Sequence, residues 1–405
     1  MKLRYFGCAI LACGLASANL GFRAQTPPSD PYLTAHEWGT FTSIAGKDGR
    51  AVEWLPLTGS TDLPSFVEHF SGATFKSGLL GTVRMETPVL YFYTNRETTV
   101  SVHVSFSKGL ITEWYPHASN IYPLAAVSPK YGNFSDWSLY QQHPDGSIEW
   151  NAVELQPRSF ADLPGETSTN HYYAARQTAS TPLQIETMQG TQTEKFLFYR
   201  GVSTFALPIS ARLLPSGKLS VENVIQQEIP AMLWFERRGE RLGFGVVQPT
   251  GSHSALDAPE LNGDMNSLEQ TVVDLLVEQG LYQDEAQAMF ETWQDSWFEE
   301  GSRLLYVVPR EFVDSVLPLS IRPAPSQTVR VFVGRLELIT PATQSAVEQA
   351  LAARDRVTLA RYGRFLMPIL NVILSEEGRL TPEQVDDYYA IASTVQQRQT
   401  SNALR

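Results

Sequence analysis

Apolar and polar residues alternate along most of the chain from Thr34 to about Gln248. Thr98–Phe106 is the clearest case. Val100, Val102, Val104 and Phe106 fall on one side of an extended chain, and Ser101, His103 and Ser105 on the other, which is the period of a half-buried strand. Thr34–Ile44 is β-rich, Lys47-Asp48-Gly49 reads as a turn, and Ala51–Leu57 returns, so a hairpin is expected. Val83–Tyr93 is apolar on both faces and contains Pro88, which places it at a sheet edge or at a bulge. Further strands are expected at Leu110–Tyr115, Ser147–Leu155, His171–Ala175, Lys195–Val202, Phe205–Leu214 and Lys218–Val224, with a hairpin Met232–Val247 around Arg238-Gly239. Many short strands between turns predict an antiparallel β-sandwich or barrel over residues 34–252.

The period changes near Gly251–Gly263. Ser267–Gln279 and Asp284–Glu300 read as helices, the second with Ala286, Met289, Phe290, Trp293 and Trp297 on one face. Strands Arg303–Val308 and Thr328–Ile339 follow. Thr340-Pro341 opens a long helix, and Thr381-Pro382-Glu383-Gln384 is a capping box for the last one. A helix-rich α+β C-terminal domain is therefore expected over 253–405.

The N-terminus changes the picture of where the protein works. Lys2 and Arg4 precede the apolar run Tyr5–Leu15 and the small-x-small site Ala16-Ser17-Ala18. Residues 1–18 read as a signal peptide and 19–33 as a Pro-rich leader, so the protein is expected in the periplasm or outside the cell. Cleavage after Ala24, or lipid anchoring through Cys13, are the other readings of this segment. Both cysteines, Cys8 and Cys13, lie inside it. The mature chain is then cysteine-free, without disulfide, thiol nucleophile or thiolate-bound metal. Losing Lys2 and Arg4 moves the formal charge from −12 to −14, which disfavours nucleic acid and anionic lipid as partners. No apolar run approaches the roughly 20 residues of a membrane helix; the longest, Phe365–Leu374, contains Pro368 and Asn371.

Candidate chemistry sits on the strands. His36 and Glu37 adjoin, so a regular strand points them to opposite faces; Gly39 beside them suits a bulge or a close approach. Simple alternation puts Arg84 and Glu86 on one face of Val83–Tyr93 with Leu90 and Phe92, Arg200 with Phe196 and Phe198, Glu113 between Ile111 and Tyr115, and Arg176 after Tyr172 and Tyr173. If these strand ends meet, the domain gains a charged, aromatic-lined rim. His36, Arg84, His117, Arg176 and Arg200 would bind a polar or anionic small molecule or a glycan there. A structural salt-bridge network explains the same residues. Glu37, Glu86 and Glu113 are the candidates for carboxylate acid/base hydrolysis, with or without a metal. No cofactor motif, G-x-S-x-G elbow, P-loop or closely spaced histidine pair is present. Asn262, Asp264 and Asn266 fail as a calcium loop because Ser267 and Val273 occupy the glycine and glutamate positions. The six carboxylates of Asp284–Glu300 read as a solvated face, or as a docking surface for the sheet or a protein partner.

HEWGTFTSIAGKDG, VRMETPVLYFY, ITEWYP, TWQDSWFEEGSRLLYVVPR and VRVFVGRLELITP resemble segments of a family of exported, uncharacterised bacterial proteins. The resemblance implies export and a shared fold and assigns no activity. The chain is thus expected to bind a polar ligand or partner outside the cytoplasm, with periplasmic hydrolysis as the alternative.

Overall fold

The computed structural model describes residues 29–57, 63–69, 79–123, 145–159, 162–166, 171–249, 251–375 and 380–402. The expected signal peptide, the first part of the expected leader and His143 lie outside them. The fold is mostly β, 42% strand against 27% helix, with a helical C-terminal region.

In chain order the strands are β1 (Ser29–Ala45), β2 (Glu68–His69), β3 (Val83–Tyr93), β4 (Thr98–Phe106), β5 (Gly109–Tyr115), β6 (Asn120–Tyr122), β7 (Gly146–Leu155), β8 (Leu183–Thr187), β9 (Gly190–Glu194), β10 (Phe196–Ser203), β11 (Ile209–Leu213), β12 (Leu219–Asn223), β13 (Met232–Arg238), β14 (Arg241–Val247) and β15 (His253–Leu256). Helices α1 (Met265–Glu278) and α2 (Gln283–Trp297) follow, then β16 (Gly301–Val308), α3 (Arg310–Val316), β17 (Leu319–Arg322) and β18 (Ala324–Leu338). The chain ends in α4 (Pro341–Ala352), α5 (Arg356–Ala360), α6 (Leu366–Leu374) and α7 (Pro382–Asn402).

Nine strands form the main sheet in the order β14-β13-β16-β18-β1-β3-β10-β5-β2. It is mixed, because β1 runs parallel to β18, so the all-antiparallel expectation is corrected at the sheet's centre. The sheet also crosses residue 252, where a domain boundary was expected: β16 and β18 sit between β13 and β1. Smaller sheets are β17-β4-β7-β8-β9, with β6 on β7, and β11-β12-β15.

Alternation along β1 divides its side chains between cores. Leu33, Ala35 and Phe41 join Val102 and Phe106 of β4, Trp150 of β7 and Val221 of β12 in one apolar cluster. On the opposite face Trp38 packs with Val89, Phe196, Met289, Trp293 and Trp297 under α1 and α2. Further along that face Ile44 meets Leu351, Phe365, Ile369 and Ile391 of the C-terminal helices. Tyr282 and Glu285 form a capping box at the start of α2. Thr381 and Gln384 do the same for α7 as expected, each backbone N–H reaching the other's side chain.

Several expectations change for local reasons. His171–Ala175 is not a strand but part of a 3₁₀ helix, His171–Arg176. Ala51–Leu57 makes only isolated bridges, Ala45 to Ala51 and Trp54 to Gly81. The helix opened by Pro341 stops at Ala352, and Asp355 caps a new one by accepting from Val357 and Thr358. Pro88 does mark a bulge, though in a central strand: Trp38 pairs with Val89 while Thr40 pairs with Glu86, leaving an extra residue in β3. That residue re-phases the strand. Val83 and Met85 thereby share a core with Leu90 and Phe92, and the Arg84–Glu86 end turns to the helix-covered face. A second bulge opposite Arg200 and Gly201 does the same in β5, so Glu113 groups with Tyr115 and not with Ile111.

Gly39 sits opposite the β3 bulge, where the Phe332 ring crosses the backbone; a Cβ built there would lie 2.7 Å from Phe332 Cε1. Phe332 is itself fully buried and stacked on Phe41, so it has little room to yield. Gly39→Val is expected to lower the unfolding free energy by about 1–3 kcal/mol or more in urea titration. Gly165→Ala, where nothing lies within 4 Å, should stay within about 0.5 kcal/mol of wild type.

Candidate functional site

The expected rim residues divide among separate places, four of them on one face of adjacent strands, and most are held in closed pairs. Glu37 is fully buried. It accepts from the Tyr199 hydroxyl and from Arg330 Nε at 2.6 Å. Arg330 lies directly opposite it in the parallel β1–β18 register. Glu86 is also buried and takes Arg364 from the C-terminal helices at 2.7 and 3.0 Å. Burial alone would raise its carboxyl, but Arg364, then Arg84 and Thr42, outweigh it and hold the group down to about 2. Arg84 also donates to the Pro56 carbonyl at 2.7 Å.

Glu113 accepts from Thr112 and stands opposite Arg200 in the β5–β10 register. Arg200 lies over the rings of Phe198 and Trp293, 5.6 and 5.8 Å from their centroids. Arg84, Glu86, Arg200 and Glu113 thus share the helix-covered face of adjacent strands. Arg176 is elsewhere, grasping Glu194 at 2.6 and 3.0 Å with Tyr173 beneath its guanidinium. His117 is half exposed and bonded to Glu68 at 2.8 Å. Among the described residues no group of three or more His, Cys, Asp and Glu is arranged to hold a metal.

His36 sits at the other end of the helix-covered face. Its Nδ1 lies 2.8 Å from Glu285 Oε2 on α2. Glu285 is fully buried, and it also accepts from Tyr93 Oη at 2.7 Å and the Tyr282 backbone N–H at 2.8 Å. Burial, then the charge of Glu285, pushes the Tyr93 phenol up, which keeps it a donor. Tyr282, half exposed, covers the imidazole with ring centroids 4.4 Å apart. His36 Nε2 is buried without a partner among the described residues. Glu285 belongs to the acidic run expected to face solvent; its position three residues after Tyr282 makes it the capping-box carboxylate and turns it inward.

A second feature was not read from the sequence. A groove of about 700 Å³ runs between the 3₁₀ helix His171–Arg176 and the outer row of α2. Its walls are His171, Tyr173, Ala174 and Gln177 on one side and Glu269, Gln287, Phe290, Glu291, Gln294 and Asp295 on the other. His171 Nε2 meets Asp295 at 3.0 Å, and Gln287 donates to Glu269 at 2.6 Å. The row Gln287, Glu291, Gln294 was legible as helical spacing, but its facing wall was taken for a strand.

Glu86 generates a pH signature. Its folded pKa is depressed to about 2 from 4.5, so the folded state binds fewer protons than the unfolded one between those values. Its contribution to stability is therefore present above about pH 4.5 and fades as pH falls towards 2, on the order of 3 kcal/mol in all. Acid unfolding of Glu86→Gln should lack that fraction of the wild-type pH dependence. A variant with an unchanged acid limb would show that the ion pair does not hold the carboxyl down.

No family model matches the chain, and no curated protein matches it. Two solved structures are similar to it at 9% identity: the yeast delta-COP-I mu-homology domain complexed with a Dsl1 WxWxV peptide, and the same domain alone. Each alignment covers 77% of this chain and 97% of the other, with a TM-score of 0.24. A superposition that loose carries no argument about fold or function.

Proposed function

We propose that the protein is an exported binding protein that holds a polyhydroxylated small molecule or a glycan end in the groove between the 3₁₀ helix and α2. The observation that supports this most is the lining of that groove: amides and carboxylates of Gln177, Gln287, Gln294, Glu269, Glu291 and Asp295 beside the ring of Tyr173. Amides and carboxylates accept and donate to hydroxyl groups, and an aromatic face packs against the apolar side of a sugar ring. Its volume lies in the range of about 300–1,000 Å³ usual for ligand sites. Carboxylates outnumber basic groups along it, which argues against the anionic ligand expected of an arginine-rich rim. The finer architectural reading, a sandwich, rests on the apolar cluster shared by the main sheet and β4 and β7.

The test is native mass spectrometry and calorimetry of the mature protein against a panel of neutral oligosaccharides. The double variant Gln287→Ala, Asp295→Ala should lose binding by roughly tenfold or more, the equivalent of one or two hydrogen bonds to charged groups, with its melting temperature unchanged. Binding that survives the double variant would move the ligand elsewhere. Mass analysis of the secreted or periplasmic protein should show a chain beginning at Asn19; a chain retaining Met1 would overturn the export reading.

One observation favours the hydrolase reading. A buried carboxylate orients His36 from behind while its Nε2 stays unpartnered, the relation of an orienting group to a general base. In that reading Glu37 and Glu86 are both committed to arginine, and His36 acts in their place. His36→Gln should then abolish any glycoside or ester hydrolysis while leaving oligosaccharide binding intact.

A further inference from the structure

A row of buried charges crosses the main sheet beneath the end of α2 and the start of the C-terminal helices. Arg303 on β16 reaches Glu337 at 3.0 Å, and Arg335 on β18 reaches Glu299 at 2.8 Å and Glu337 at 3.3 Å. Both contacts of Arg335 use Nη2 alone. Two buried guanidiniums therefore share the Glu337 carboxylate, and the remaining nitrogens of Arg335, Nε and Nη1, have no acceptor among the described residues. The side chain is fully buried, its face 4.4 Å from the Phe365 ring.

Other donors around it share that condition. In register, Thr42 of β1 is opposite Arg335 and Thr40 is opposite Val333, so their side chains share the face of Arg335. Trp297 lines one small apolar cavity with Val333. Trp293 is one turn earlier on the same face of α2. The Thr40 hydroxyl and the indole N–H groups of Trp293 and Trp297 are buried without a partner among the described residues. Each such group costs about 1–3 kcal/mol if nothing meets it. Arg335 Nε and Nη1 and the two indole N–H groups can only donate, and the Thr40 hydroxyl can donate as well. Water would bring two donors of its own; an anion brings none. Burial, then the like charge of Arg303, pulls Arg335 down to about 10 against the opposing effect of Glu337 and Glu299.

We propose that this seam binds one small inorganic anion of the halide class through Arg335 Nε and Nη1 and the Thr40 hydroxyl, fastening the C-terminal helices to the sheet. The test uses the mature full-length chain, with chloride and bromide as probes. At constant ionic strength the melting temperature should rise and saturate as sodium chloride replaces sodium gluconate. Thr40→Val, close in shape and without the hydroxyl, should weaken that chloride dependence by about tenfold, as expected for one hydrogen bond to an ion. Arg335→Met should abolish it. Crystals soaked in sodium bromide should show an anomalous peak beside Arg335. Equal melting curves in chloride and gluconate, or a bromide-soaked crystal with ordered water and no anomalous signal at Arg335, would overturn the proposal. If Arg335→Met does not fold, Thr40→Val and the bromide soak decide it.

Discussion

The contact on which the rest of the structure depends is the parallel pairing of β1 with β18, with Glu37 and Arg330 bonded across it. The two residues are 293 positions apart. Everything between them must be folded out to either side before the central pair of the main sheet can close. Contacts of such separation are slow to form because the loop entropy is lost before the contact repays it. The ion pair adds specificity to this late step. A slip of one residue would turn Glu37 from its buried partners to the opposite, helix-covered face, and a buried carboxylate without its arginine costs several kcal/mol. Burial makes the pair a weak net contributor to stability and a strong discriminator of register.

The same strand distributes chemistry by parity. Odd positions of β1 from Leu33 to Phe41 enter the core shared with β4 and β7, and even positions run from His36 through Trp38 and Thr40 to Ile44 under two groups of helices. That is why His36 and Glu37, adjacent in sequence, belong to unrelated surroundings. One meets Glu285 on α2 and the other Tyr199 and Arg330.

Alternation made some strands of the first half legible to the residue: β3 and β4 match their expected limits, while β6, β8 and β9 were not read. It failed where a single inserted residue shifts the phase. Nothing in MET or ITE states which side Glu86 or Glu113 will take after a bulge, because the bulge is fixed by the neighbouring strand's register. The parallel direction of β18 was equally hidden, since a strand buried on both faces shows no direction in its sequence. Pairings across hundreds of residues, such as His36 with Glu285 or Glu86 with Arg364, lie beyond any local pattern. The arginines and glutamates of RLLYVV and VGRLEL could have been noticed, since Arg303, Arg335 and Glu337 fall inside the expected strands Arg303–Val308 and Thr328–Ile339.

What separates fold from function here is the geometry of α2. Its inner row, Ala286, Met289, Trp293 and Trp297, is buried in the core under the main sheet, and its first turn holds Glu285 against His36. Its outer row, Gln287, Glu291, Gln294 and Asp295, carries no core side chain and forms one wall of the groove. Among the buried carboxylates, Glu37, Glu86, Glu194 and Glu337 each hold an arginine, so their charge is committed to holding the sheet and helices together. Among the described residues the groove's carboxylates and amides bond to one another and to His171, contacts that solvent or a ligand's hydroxyls can replace at small cost. A helix that spends one face on the core and the other on exchangeable polar contacts could release a ligand without losing the fold, and this asymmetry supports the proposal of the groove, rather than the arginine pairs, as a ligand site.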